Sequence, residues 1–290
     1  ITFAGDYVGT LLNRVDYDQP IIVGSNNANG DNTTLSSSTS RDQYIRFMGT
    51  ADRAAFLTNL NSTTGKVDFI TSGDIRLRQV SAGGTIRLQT AKSIVDDNGS
   101  TVNLTSSTGV DLTTSNGGVG TADAVEMALN GGSLKVLAAL TVNLENQSGA
   151  ITIDSVTSSG GSVILKSSGN IADAGDTNVA DITAMTGLDL ASTSGSIGAL
   201  DIEMSSGSRV RATASGNIQL RELTGTMLVQ RVESTGGKAI LTSDGGIVDG
   251  LGTNDVDVIG GAGIELRASS GAIGEIGGLE IDSGSSAPVV

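Results

Sequence analysis

Asp96-Asp97-Asn98-Gly99, then Asp173, Asp176 and Asn178, then Asp249, Asn254, Asp255 and Asp257 are the residues of this chain best suited to chemistry, because they recur as acidic turns at a fixed period. Calcium takes six to eight oxygen ligands from flexible loops, and a turn of Asp, Asn and Gly supplies carboxylates together with freed carbonyls. Asp96, Asp97, Asp173, Asp176, Asp249 and Asp255 are the expected ligands. The spacing matches neither an EF-hand loop nor a glycine-rich calcium roll. The same residue types also suit an ordinary tight turn, since they tolerate positive φ and cap their own backbone. No other cofactor is expected.

Two carboxylates across a glycosidic bond are the other chemistry open to an acidic chain. Asp111 with Glu126, or Asp189 with Glu203, would form such a pair if each pair shared one face. Against an enzyme stand the repetition of these acids and the lack of aromatic platforms, because all seven aromatic residues lie between Phe3 and Phe69. The chain has no Cys and no His, which removes thiol chemistry, an imidazole base and soft-metal ligation. No enzymatic activity is expected. Asn32, Asn61, Asn103 and Asn146 open glycosylation sequons, of a kind that arises by chance in a chain rich in Ser and Thr.

The elements that position these turns are repeats. Val125-Glu126-Met127, Ile202-Glu203-Met204 and Leu279-Glu280-Ile281 place their glutamates 77 residues apart each time. Gly73, Gly149 and Gly225 open matching segments 76 residues apart, and Ile94-Val95-Asp96, Ile171-Ala172-Asp173 and Ile247-Val248-Asp249 keep the register. Each unit of such an array buries its apolar face only against its neighbour. Between the landmarks run short alternating strands such as Ile75-Arg76-Leu77, Ile86-Arg87-Leu88 and Val110-Asp111-Leu112, bounded by Gly, Ser, Asn or Asp.

Three strands per turn of about 25 residues predict an all-β fold, a right-handed parallel β-solenoid with triangular coils and three coils per super-repeat. In each triplet the flanking apolar residues should point inward. The middle residue, whether Arg76, Asn103, Asp111, Glu126, Asp189, Glu203 or Glu265, should point out. Residues 73–282 make up the solenoid, as repeats 73–148, 149–224 and 225–282, with 283–290 as a C-terminal tail. Residues 1–72 form a divergent aromatic zone. There, Ile1-Thr2-Phe3, Leu11-Leu12-Asn13 and Ile21-Ile22-Val23 could make one extra coil, residues 25–40 a long polar loop, and residues 51–60 either a strand of a second coil or a short helix over the solenoid end.

Glycine-opened triplets, Gly73-Asp74-Ile75-Arg76-Leu77 and Gly216-Asn217-Ile218-Gln219-Leu220, resemble the repeats of filamentous-haemagglutinin-like adhesins and related giant bacterial surface proteins over residues 73–282. The resemblance implies a secreted, right-handed β-helical rod used for adhesion or surface structure. That family's secretion domain carries Asn-Pro-Asn-Gly motifs, of which Asn27-Ala28-Asn29-Gly30 keeps all but the Pro.

A net charge of −14 argues against nucleic acid and anionic membrane as partners. No apolar run reaches the length of a membrane span, so membrane insertion is not expected. The start at Ile1 without Met fits a processed secreted protein or a fragment. Leu279-Glu280-Ile281 begins a coil that the tail is expected not to finish, and Ile1, Phe3 and Tyr7 at one end with Leu279, Ile281, Val289 and Val290 at the other are the expected contacts between copies. The expected function is a secreted structural protomer that stacks head to tail into an extracellular or cell-surface filament. Alternatives are a segment of a monomeric surface adhesin, with cell-surface or glycan contact, and a polysaccharide-active enzyme.

Overall fold

The computed structural model describes residues 2–4, 21–24, 33–48, 54–175, 178–275, 278–284 and 288–290. It is all-β, with no helix among the described residues, and its strands wind as a parallel β-solenoid. Two compact units divide the chain, Ile1–Gln147 and Ser148–Val290.

In the first unit each coil has a bent side and a straight side. Strand Ala55–Ser62 is buried at positions 1, 3, 6 and 8, and the break in alternation marks a bend. Over its two halves lie Ile75–Leu77 and Val80–Ala82, which are followed in the next coil by Ile94–Asp96 and Leu104–Ser106. The straight side stacks Gln43–Met48, Val67–Thr71, Ile86–Thr90, Gly109–Thr114 and Ser133–Ala138 in parallel. A coil therefore carries three short strands, such as Ile75–Leu77, Val80–Ala82 and Ile86–Thr90. Between the sides runs a dry core, in which Ile75, Leu77, Ile86, Leu88, Leu104 and Leu112 are all fully buried. Each such side chain adds about 1.5–3 kcal/mol by leaving water.

Residues 33–71 belong to these coils. Thr33–Thr39 is a strand with Leu35 and Ser37 buried, so the second half of the polar tract is not a loop. The backbone ladder overrides composition there, because Thr33–Thr39 pairs along its whole length with Ala55–Ser62. That pairing also makes Ala55–Ser62 a strand rather than the end of a helix. Thr2–Ala4 runs antiparallel to Thr33–Thr39, unlike the parallel coil expected of it, whereas Ile21–Gly24 does pair in parallel with Gln43–Met48.

The second unit shows how the super-repeat works. Registered steps of 20, 26 and 21 residues carry Ile151 through Ile171 and Ile197 to Ile218 on one side, and nine residues later the chain lies on the opposite side at Met227. The 76-residue period is thus three full coils, as expected, plus a half turn. Ile151–Ser158 and Met227–Ser234 share one burial pattern and each carries two short strands above it, but on opposite sides. The bend changes sides with each super-repeat.

Corners are closed by serine and glycine. Ser106 Oγ donates to Gly84 O at 2.8 Å, Ser192 to Gly169 O at 2.8 Å and Ser234 to Gly216 O at 2.7 Å, each joining one coil to the coil below. The same hydroxyls accept from Gly109 N and Gly237 N three residues on. Ser-x-x-Gly is thereby a corner motif in which a buried hydroxyl satisfies two backbone groups.

The last residues stay on the solenoid. Ile281–Asp282 pairs with Val258–Gly260, and Pro288 O and the Val290 N–H bond Ile264 N and O, both at 3.0 Å.

Candidate functional site

Where the bent side breaks, the chain loops out after an Ile-x-Asp strand and re-enters through a second polar residue, and carboxylates meet at this break. In the first unit Asp96 accepts from Asn98 N at 2.9 Å, Gly99 N at 2.8 Å and Asn103 Nδ2 at 2.7 Å. Asn103 is fully buried; it also donates to Leu77 O and accepts from Glu126 N at 2.8 Å. Glu126 is 4 % exposed and its Oε2 has no hydrogen-bond partner. Burial first, then the charge of Asp96, pushes its carboxyl up to about 7.

This overturns part of the inward-outward expectation: the middle residues Asn103 and Glu126 are buried, because the break turns them under the next coil rather than to solvent. Arg76, Asp111, Asp189 and Glu265 keep partial exposure and Glu203 is exposed, as expected.

The second unit holds two counterparts. Asp181, buried, accepts from Asp201 N at 2.8 Å, and burial followed by its neighbours Asp173 and Asp201 raises its carboxyl to about 7. A cleft of about 160 Å³ opens here between Asp173, Asn178, Asp181, Asp201 and Arg221. Arg221 lies 3.8 Å from Asp201 and donates to Asn178 Oδ1 at 3.0 Å. Asn178 has a φ of 53°, which an amide side chain tolerates better than most.

The third cluster is the most acidic. Asp249, Asp257 and Glu280 bring carboxylate oxygens within 4.8 Å of one another. Asp257 is 1 % exposed and accepts from Glu280 N at 3.1 Å. Burial first, then Asp249, raises its carboxyl to about 6. Glu280 Oε2 is buried without a hydrogen-bond partner.

The strand register fixes which residues correspond. Leu104 pairs with Met127, Ile182 with Ile202 and Val258 with Ile281. Glu126, Asp201 and Glu280 therefore occupy one structural position. The triplet repeat in the sequence points instead to Glu203, two residues away and exposed.

Among the expected ligands, Asp96, Asp173 and Asp249 sit at the three clusters. Asp97 turns to Arg78 at 3.0 Å and Arg76 at 3.4 Å, Asp255 is exposed beside Thr253, and Asp176 lies outside the described residues. Asn103, Asp181 and Asp257 share a signal not used as such, a polar residue just before an apolar strand at the period of the repeat. Glu222 gives no repeat signal; it is fully buried, its Oε1 accepts from Met204 N at 3.3 Å, its Oε2 has no partner, and burial raises its carboxyl.

The two proposed carboxylate pairs are not assembled. Asp111 stands on the straight side beside Arg87, while Glu126 is buried on the bent side. Asp189 pairs with Arg211 at 3.0 Å on one side, and Glu203 lies on the other. Two sequons, Asn103 and Asn146, are fully buried and cannot carry a glycan in the folded chain. Of the expected interface residues, Ile281, Val289 and Val290 are exposed, Leu279 is half-buried, Phe3 lies in the antiparallel strand, and Ile1 and Tyr7 fall outside the described residues.

Comparison with protein-family models, curated proteins and solved structures finds no match.

Proposed function

We propose that this chain is a structural β-solenoid whose copies stack coil on coil into an extracellular or cell-surface filament. One observation carries the reading. Ile273, Ile281 and Val289, 46 %, 40 % and 49 % exposed, lie directly over Ile247, Val258 and Ile264, which are buried to 2 % or less. These residues repeat the inward positions of the coil beneath them, so a further coil is what would bury them. Val290, 79 % exposed, extends the same surface. A second copy presenting its own coil edge supplies both the apolar cover and the backbone donors and acceptors of parallel pairing. Such a contact joins two different surfaces and does not close on itself, so it propagates. Secretion and surface exposure are part of this proposal and rest on the resemblance to adhesin repeats.

Negative-stain microscopy of the purified chain tests it. Long fibres of uniform width are expected, and Ile281→Asp with Val289→Asp should leave single particles with an unchanged β circular-dichroism spectrum. If the unmodified chain yields only isolated particles at high concentration, stacking is wrong.

A further inference from the structure

We propose that Asp249, Asp257 and Glu280 bind a divalent cation of the calcium type. The three carboxylates converge within 4.8 Å, and among the described residues no Lys or Arg is ion-paired with them. Three like charges at this separation need a counter-charge that the protein does not provide. The other two clusters differ in this respect. The one at Asp181 has Arg221 beside Asp201, and the one at Glu126 has neutral Asn103 where the third has Asp257.

An independent observation points the same way. Glu280 Oε2 is sealed from solvent with no donor, a state that leaves a buried acceptor unsatisfied. The orphan recurs at the same structural position in Glu126 Oε2, on a side chain that is 4 % exposed, so it belongs to the design of the break rather than to one side chain. Backbone donors occupy only part of the set: Leu251 N bonds Asp249 Oδ1 and Glu280 N bonds Asp257 Oδ2. Oxygen-only donors select a hard cation over zinc or copper. The loop from Asp249 to Asp257 suits the irregular coordination of calcium better than the strict octahedron of magnesium, with water and carbonyls completing the shell.

Calcium titration of the whole chain, stripped with a chelator, tests the site by calorimetry and thermal unfolding. Saturable binding and a rise in Tm are expected, with magnesium weaker at equal concentration. Asp257→Asn should bind one ion fewer and lose most of the Tm response, while in chelator it should be at least as stable as the parent because one buried charge is gone. Glu280→Gln should behave alike and serves if Asp257→Asn fails to fold. A parent Tm that follows sodium chloride of equal ionic strength, or variants that bind as many ions as the parent, would overturn the proposal.

Discussion

A carboxylate folded under the next coil meets a like charge and no water, and its proton affinity records that. For Glu126 the folded group protonates at about 7 against an ordinary 4.5. Its contribution is complete below about 4.5 and is lost as pH rises through about 7. Glu126→Gln keeps the shape and removes the charge, so at pH 8 the variant should melt several degrees above the parent, and at pH 4 the two should coincide. Thermal unfolding followed by circular dichroism at both pH values checks this; a variant less stable at pH 8 would show that the charged form is needed. The sequence revealed the acid at this position in two of three copies. It missed Asp201 because a two-residue change in loop length shifts the coil beneath the triplet, and only backbone pairing reveals the shift.

At the scale of elements, strands were legible because alternation is a local property of a pleated chain, and parallel stacking followed from the repeat. The bend within Ala55–Ser62 was not, since a strand of that composition pairs equally well straight. Turns depend on backbone space that the sequence marks only as glycine. Gly120 has a φ of 64°, and a Cβ there would sit 2.2 Å from the carbonyl oxygen of Asn143 in the next coil. Gly120→Ala should therefore destabilise the first unit by about 2 kcal/mol or more, because strain at positive φ and a backbone clash add. Chemical denaturation would show a lower midpoint; an unchanged midpoint would mean that the coils can move apart at that corner.

For the molecule as a whole, a net charge of −14 works against any association of copies. Screening shortens the reach of that repulsion from about 30 Å at 0.01 M salt to about 10 Å at 0.1 M. If copies stack through the apolar face of Ile273, Ile281 and Val289, assembly followed by light scattering should quicken over that range of sodium chloride. Slower assembly in salt would indicate that attraction between charges, not apolar burial, holds the contact.

The sequence by itself determined the fold class, the strand positions from residue 73 onward and the period, because alternation and glycine spacing are written along the chain. Tertiary structure alone decided that the period is three and a half coils, that Asp201 replaces Glu203, and that Asp249, Asp257 and Glu280 converge. Each of these depends on which residues lie above one another in successive coils, and that register is set by loop lengths and backbone hydrogen bonds between residues about 20 or more apart, beyond the reach of any local pattern.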